Sequence, residues 1–425
     1  MTAGESFSIA TVLIRKLAVF MTSHPLSPSP GAGQLERARE AALRGLEFLI
    51  RHQETFEGSA EHGRFAFVYD CQDNKVISRT TNWTTGVAIE AMLSGYGVFG
   101  DERYLEAAGR GVRYLASLQE FGPLRPKLAG AFHEETPQTP WLHPRDALTA
   151  AWALLDWAEV TKDSEAHFRA RAYADWMIAH GMDGGYPRWT ASFETLDAAP
   201  RWYGSFHSGG AFFFARMYSV TGDERYLQTM REILDLYNRL LLTSDGRVHV
   251  IADIEGQSPV SDHDACYGAD ARFVPEGWIR MHEYNDDFGA LANLEAYRLT
   301  NDRGYLEAAE RFLRHMIAIQ HQDGGFGPTD YTVPAAGGSV LLELLAARAS
   351  GSALPVEGAI SRAVDYVLGL QVVRPGDPAD GAFRGYDDNY QLGNRICNIR
   401  AGGYAILSLL RFCGATGPIY FPASS

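Results

Sequence analysis

The chain has 425 residues, of which 46% are hydrophobic, and this supplies enough apolar surface for a large buried core. The formal net charge is −14 at pH 7 and no cluster of Lys and Arg stands out, so nucleic acid is excluded as an expected partner. The cysteines Cys71, Cys266, Cys397 and Cys413 form no CxxC pair and no dense framework. This spacing argues against a zinc ribbon or a disulfide scaffold and favours scattered thiols in a reducing compartment.

The first 33 residues are predicted to form an N-terminal arm and linker. Residues 7–21 are fairly apolar, but Arg15 and Lys16 interrupt them, and residues 23–33 are rich in proline with little periodicity. No stretch is long and apolar enough to span a bilayer, and no secretory signal pattern is present, so a cytoplasmic location is expected. Residues 34–425 are predicted to form one domain.

A helix–turn–helix pattern recurs through this domain. The segment Gly-Asp-Glu-Arg-Tyr-Leu occurs at Gly100 and again at Gly222, and Asn-Asp-Arg-Gly-Tyr-Leu follows at Asn301. Each segment places a turn residue and an acidic helix start before apolar residues at helical spacing. This pattern predicts outer helices over residues 36–53, 102–119, 164–180, 223–242, 302–320 and 357–371.

A more apolar helix, rich in small residues, follows each outer helix. These six helices are predicted to begin near Trp83, Arg145, His207, Asp286, Gly337 and Asn398. A helix that is hydrophobic on most sides is a buried one, so these helices are assigned to an inner ring. The expected fold is all-α, an (α/α)6 toroid of six helical hairpins. Its longest insertion is a loop at 243–283, whose acidic residues offer oxygen ligands for calcium but fit no EF-hand spacing. No metal site and no cofactor are predicted, and calcium binding by this loop stays an open alternative.

Short motifs carry a resemblance to known toroidal proteins. The runs Gly45-x-x-Phe48-Leu49-x-x-x-Gln53, Gly111-x-x-Tyr114-Leu115-x-x-x-Gln119 and Ala363-x-x-Tyr366-Val367-x-x-x-Gln371 resemble the Gln-Trp repeats of terpenoid cyclases in the α/α-toroid superfamily. The turn Asp183-Gly-Gly-Tyr-Pro187 is similar to a Gly-Gly-Trp-Pro turn of toroidal pectate lyases, and Trp202-Tyr203-Gly204-Ser205-x-x-x-Gly209 is similar to the C-terminal domain of glucuronyl C5-epimerases. The resemblance implies a toroidal fold over 36–413 and points to carbohydrate-active members of the superfamily.

Polar and aromatic side chains concentrate at the predicted starts of the inner helices. In a toroid these starts share one mouth, where free backbone N–H groups and the positive ends of helix dipoles also point. Convergent polar groups are the default hypothesis for a site, although residues such as Asn82 and Asp146 also suit helix capping. The catalytic candidates are His143, Tyr203, His207, Tyr284, Asp286 and Asp287. The substrate-binding candidates are Asn82, Trp83, Arg145, Asp146, Trp202, Arg395, Asn398 and Arg400.

These residues predict an enzyme that acts on a uronic-acid-containing or related oligo- or polysaccharide. The expected reaction removes the proton next to the carboxyl group, as in a lyase or a C5-epimerase. Such a reaction needs a base, an acid and groups that neutralise the carboxylate. The base is expected to be His207 or Tyr284 and the acid Tyr203, while Arg395 or Arg400, together with Asn82, holds the carboxylate.

Other functions stay open. A glycoside hydrolase would place two carboxylates on opposite sides of the scissile bond, with Asp146 facing Asp286 or Asp287. The three runs that end in Gln53, Gln119 and Gln371 are compatible with a terpenoid cyclase or prenyltransferase, but the Asp-x-Asp-Asp motif that supplies the acid of the cyclases is absent. A non-catalytic scaffold is a third class, which the polar rim disfavours. The oligomeric state is open between a monomer and a homodimer.

Overall fold

The structure is a computed structural model that describes residues 32–188, 191–196, 202–253, 255, 257–260, 282–385 and 395–416. Within these ranges the chain forms twelve α-helices that alternate between two rings. The outer helices are α1 (Ala32–Arg51), α3 (Glu102–Ser117), α5 (Ser164–Trp176), α7 (Glu224–Leu236), α9 (Arg303–Ile319) and α11 (Glu357–Leu370). The inner helices are α2 (Asn82–Phe99), α4 (Pro144–Thr161), α6 (Gly209–Thr221), α8 (Gly289–Thr300), α10 (Pro334–Ala349) and α12 (Ile399–Phe412).

Contacts between the helices close the inner ring. Each inner helix packs on the next in the order α2, α4, α6, α8, α10 and α12, and α12 packs back on α2. Each inner helix also packs on the outer helix that follows it, and α12 takes α1 as its outer partner. The two ends of the described chain therefore complete one hairpin together, and the predicted all-α toroid is confirmed.

The turn between an inner helix and its outer partner explains the sequence repeat. The inner helix ends at a residue in the left-handed conformation, at Gly100, Lys162, Gly222 and Asn301, with φ values of 68°, 63°, 69° and 56°. The next residue is an aspartate whose carboxylate accepts a backbone N–H of the outer helix, at Asp101, Asp163, Asp223 and Asp302. The turn residue and the cap thus end one helix and begin the next within two positions.

Glutamines at the ends of four outer helices connect neighbouring hairpins. Each side chain donates from Nε2 to the carbonyl of a glycine in the following turn and to a carbonyl in the next outer helix. The acceptors are Gly63 and Ala107 for Gln53, Gly130 and Arg169 for Gln119, Gly324 and Ala359 for Gln320, and Gly381 and Ala41 for Gln371. The bond from Gln371 to Ala41 is 2.8 Å long, and it joins α11 to α1 and closes the outer ring.

Short antiparallel strands lie in the loops, and the all-α prediction did not include them. The first sheet has the order β10 (Ile396–Asn398), β1 (Val68–Asp70), β2 (Lys75–Ser78), with Val68 opposite Asn398. The second contains β7 (Trp202–Gly204), β8 (Ile251–Asp253) and β9 (Ser258–Val260). Two further pairs join β3 (Trp141–Leu142) to β6 (Ala191–Ser192) and β4 (Met182–Asp183) to β5 (Tyr186–Pro187). Strands of two to four residues are too short to show an alternating pattern in the sequence.

Two predicted segments extend beyond the described residues. Helix α1 begins at Ala32, so the predicted linker overlaps the helix by two residues, and the rest of the predicted arm lies outside the described ranges. The loop predicted at 243–283 contains β8 and β9, whereas its residues 254, 256 and 261–281 are not among those described. In the described part of the chain, no helix is both long enough and apolar enough to cross a membrane.

Candidate active site at the mouth of the toroid

Side chains from several inner-helix starts meet at one end of the ring, which we call the mouth. Arg145 of α4 forms an ion pair with Asp287, which lies just before α8, and its Nε donates to the Phe206 carbonyl ahead of α6 at 3.0 Å. The guanidinium groups of Arg145 and Arg400 lie 5.6 and 4.7 Å from the centre of the Trp83 ring. The structure therefore brings Trp83, Arg145, Asp287 and Arg400 together from four different inner-helix starts.

Asp287 is the buried centre of this cluster. Its carboxylate pairs with Arg145, accepts a hydrogen bond from the Tyr404 hydroxyl at 3.0 Å, and lies 3.9 Å from Arg400. Asp287 and Phe288 both have positive φ, 53° and 78°, a conformation that non-glycine residues rarely adopt. The side chain is fully buried, so Asp287 anchors the arginines and is not presented to solvent.

Asp286 belongs to a separate buried group. Its Oδ2 accepts hydrogen bonds from the Tyr237 hydroxyl at 3.0 Å and from the Ala290 backbone at 2.8 Å. Its carboxyl group also hydrogen-bonds Glu343 of α10, which requires one of the two acids to carry a proton. Burial, and then the charge of Asp286, raises the pKa of Glu343 well above its usual range. These acids tie α8 to α10 below the mouth.

A second carboxyl pair, Glu134 and Asp146, lies at the edge of the same cluster. Glu134 is buried in the loop after α3, where its backbone carbonyl and its Oε2 accept from the backbone and side-chain nitrogens of Asn82 at 3.0 and 3.4 Å. Asp146 lies in the first turn of α4 with 27% of its side chain exposed, and its Oδ1 is 3.3 Å from Arg145. The sequence did not single out Glu134, although the Gly130-Ala-Phe132 turn just before it marks a loop that leads to an inner helix.

The environment pushes the pKa values of these two acids apart. Burial raises the pKa of Glu134 well above its usual range, and the charge of Asp146 adds to this effect. Burial also acts to raise the pKa of Asp146, but the charges of Arg145 and His143 and the hydrogen bond from Glu134 outweigh it and lower that pKa. The two shifts therefore favour a proton on the buried Glu134 and an ionised carboxylate on the partly exposed Asp146.

The predicted bases and acids are mostly enclosed. His207 is 1% exposed and is bonded through Nδ1 to the Pro187 carbonyl at 3.0 Å. Burial, with a contribution from the Arg145 charge, lowers the pKa of His207 to about 3, so its imidazole is neutral. Tyr203 is 2% exposed and packs edge-to-face against Tyr186 at 5.2 Å. His143, directly before α4, and Tyr284 are half-buried.

Two of the remaining candidates have structural contacts. Asn398 accepts the Ala401 N–H at 2.9 Å and caps α12, and Arg395 forms ion pairs with Asp70 and Asp73 of the β1–β2 hairpin. Trp202 lies in β7, and its side chain falls outside the described residues.

Several buried polar atoms at the mouth have no hydrogen-bond partner among the described residues. They include Asn82 Oδ1, Asn285 Nδ2 and Arg400 Nη1. Buried polar atoms are usually hydrogen-bonded, so a concentration of unpaired ones indicates a place for a polar ligand or ordered water. In the part of the chain that the structure describes, no three His, Cys, Asp or Glu side chains are grouped so that they could hold a metal ion.

Solved structures share the fold of this chain at low sequence identity. No protein-family model and no curated protein matches the sequence. An unsaturated glucuronyl hydrolase from Bacillus sp. GL1 superposes with a TM-score of 0.66 at 20% identity, over 90% of this chain and 99% of that chain. A cellobiose 2-epimerase from Bacillus thermoamylovorans gives a TM-score of 0.68 at 14% identity, over 89% and 98%. An inactive variant of an α-1,6-mannanase from a Salegentibacter species, with mannotriose, gives 0.60 at 15% identity, over 89% and 100%. At these identities the likeness establishes the toroidal fold over nearly the whole chain.

Proposed function

We propose that this protein is a glycoside hydrolase that acts on an oligosaccharide with a uronyl residue, and that Asp146, hydrogen-bonded to Glu134, carries its proton transfers. The proposal rests on the pair itself, in which a buried, protonated Glu134 stands behind a partly exposed, ionised Asp146. Carboxyl groups whose pKa values are driven in opposite directions are the groups that acid–base cleavage of a glycosidic bond uses.

Asp146 is the member of the pair that faces the substrate. In hydrolysis a water oxygen bonds to the anomeric carbon, the bond to the leaving oxygen breaks, and one proton moves from the water to that oxygen. Asp146 accepts this proton and returns it, while Glu134 keeps its own proton in the hydrogen bond that stabilises the carboxylate. Arg145 holds the Asp146 carboxylate in place at 3.3 Å.

The enclosed position of His207 and Tyr203 disfavours abstraction of a sugar proton by these residues. A general base has to reach the proton that it removes, within hydrogen-bonding distance or through one water. His207 is 1% exposed and Tyr203 is 2% exposed. The lyase or epimerase reaction is therefore the second candidate function. For that reaction, the half-buried Tyr284 is the candidate base to test.

Arg400 supports an acidic substrate. Its side chain is 14% exposed and stacks on Trp83, and its Nη1 lies 3.9 Å from Asp287 without a hydrogen-bond partner among the described residues. A guanidinium group with an unused donor suits a carboxylate. Uronyl substrates also appear in the names of similar structures, which include an unsaturated glucuronyl hydrolase specific for heparin and one with dGlcA-Glc-Rha-Glc.

The test is a substrate panel in which two signals are followed together. Purified protein is incubated with saturated and unsaturated uronyl oligosaccharides and with neutral manno- and cello-oligosaccharides, and reducing ends are measured alongside the ultraviolet absorbance of the conjugated double bond. We expect new reducing ends with the uronyl substrates. The absorbance of unsaturated substrates should fall, because the released sugar opens to its keto form and loses the conjugated double bond. Rising absorbance would instead identify elimination, and solvent deuterium at C5 without bond cleavage would identify epimerisation; either result contradicts the proposal.

A further inference from the structure

Two cysteines that the sequence places far apart meet beside the sheet that leads into the mouth. The Sγ atoms of Cys71 and Cys397 are 2.7 Å apart, although the residues are separated by 326 positions. Both side chains are buried, at 3% and 2% exposure. The sequence pattern favoured scattered thiols, and the pairing arises because β1 lies next to β10, with Tyr69 opposite Cys397.

The backbone around the two thiols is fixed by its own hydrogen bonds. The Cys71 N–H donates to the Arg395 carbonyl at 2.9 Å, which continues the β1–β10 pairing past the last strand residue. The Cys71 carbonyl accepts from Arg374 at 3.2 Å. A disulfide bond is about 2.05 Å long, so a shift of roughly 0.7 Å would bring the two sulfur atoms to bonding distance.

We propose that Cys71 and Cys397 are a site of reversible oxidation, at which a low-molecular-weight disulfide forms a bond between them and closes the ring covalently. This inference is independent of the proposed hydrolase activity. The bond would join the β1–β2 hairpin, which precedes α2, to the strand that precedes α12. Since α12 packs on both α1 and α2, the cross-link would span the point at which the two ends of the ring meet.

The reaction is thiol–disulfide exchange in two steps. The Cys71 thiolate attacks one sulfur of the small disulfide and releases one small thiolate, and the Cys397 thiolate then attacks Cys71 Sγ and releases the second. Two protein thiols are oxidised and one small disulfide is reduced to two thiols. The hydrogen bond with Cys397, aided by the charges of Arg374 and Arg384, lowers the pKa of the Cys71 thiol, which assigns Cys71 as the attacking group.

The test equilibrates the full-length protein in buffers of increasing glutathione disulfide to glutathione ratio, followed by acid quenching, alkylation and peptide mapping without reduction. We expect two thiols to be lost together, a peptide containing Cys71 linked to one containing Cys397, and reversal by dithiothreitol. The oxidised protein should melt about 5 °C higher than the reduced one, because the bond constrains the unfolded chain.

Matched variants separate this bond from other oxidation. Cys413→Ser removes a half-buried thiol outside the pair and should leave the linked peptide and the shift in Tm intact. Cys71→Ser and Cys397→Ser should abolish both, and the reduced Tm of each variant reports whether it folds. If both thiols of the wild-type protein stay alkylatable at every ratio, or pair only with glutathione or with Cys413, the inference is overturned whatever the variants do.

Discussion

At the mouth, the charge of each carboxyl group depends on the side chain beside it. Asp287 is ion-paired with Arg145, the pKa of Glu343 is raised by burial and by the charge of Asp286, and the pKa shifts of Glu134 and Asp146 favour a proton on Glu134 and a charge on Asp146. Of these, Asp146 combines an ionised carboxylate with partial exposure, so it carries the proposed chemistry. The others fix the positions of the groups around it.

The pH dependence of catalysis should reflect the opposite pKa shifts of Glu134 and Asp146. Activity should fall on the acidic side as the lowered pKa of Asp146 is crossed, and on the alkaline side as Glu134 loses its proton at its raised pKa. Glu134→Gln keeps a hydrogen-bond donor but cannot ionise, so its profile of kcat/KM should lose the alkaline limb. Asp365→Asn, at an exposed ion pair, is the control. If Glu134→Gln keeps the alkaline limb, Glu134 is not the group whose ionisation limits activity at high pH.

The buried Glu343 should make stability depend on pH. Its pKa is raised in the folded state, so the folded protein retains a proton that the unfolded chain releases. This contribution is complete below the usual glutamate pKa and is lost as the pH rises towards the folded value, with a slope of up to about 1.4 kcal/mol per pH unit. Glu343→Gln should therefore gain stability relative to wild type between pH 5 and pH 9, measured by urea unfolding. A constant difference across this range would contradict the shift.

Sequence identified the acids of the mouth but not their partners. Asp146, Asp286 and Asp287 were identified because each lies at the predicted start of an apolar inner helix, directly after a loop. Glu134 and Glu343 escaped notice because the first lies in a loop without periodicity and the second lies within an inner helix, where a single acid resembles any other polar interruption. Side-chain pairing across the ring depends on tertiary contacts that no local pattern records.

At the scale of the helices, the glutamine bridges connect the repeat to stability. Gln371→Ala leaves the Ala41 and Gly381 carbonyls without their side-chain donor and should lower the free energy of unfolding by about 1–3 kcal/mol. Gln119→Ala should cost a similar amount, because its two bonds are equivalent. Gln228→Ala removes an exposed bond within a single helix and should cost little. Equal stabilities for the Gln371 and Gln228 variants would show that the bridges do not hold the hairpins together.

The outer helices were predictable because their signals are local. The predicted helix over 102–119 corresponds to Glu102–Ser117, and that over 302–320 to Arg303–Ile319. The aspartate caps and the apolar spacing determine these ends. The role of the terminal glutamines was not predictable, since their second acceptor lies in a different hairpin.

At the scale of the whole molecule, the ring is closed by both ends of the described chain. Helix α12 packs on α1 and α2, Gln371 bonds Ala41, and Cys397 meets Cys71 at the same closure. The number and order of the predicted helices indicated a toroid, and the helical periodicity of the sequence was sufficient to predict those helices. The substrate was not predictable to the same degree, because one toroidal scaffold serves a glucuronyl hydrolase, an epimerase and a mannanase among the similar structures.

The most direct test of the proposed site is the kcat/KM of Asp146→Asn on the uronyl oligosaccharide that the panel identifies. The substitution removes the carboxylate but keeps the size of the side chain, and Tm and circular dichroism report whether the ring stays intact. We expect kcat/KM to fall by about 10²–10⁴-fold with little change in Tm, while Asp365→Asn retains wild-type activity. A folded Asp146→Asn variant with near wild-type turnover would contradict the account and move the chemistry away from the Glu134–Asp146 pair.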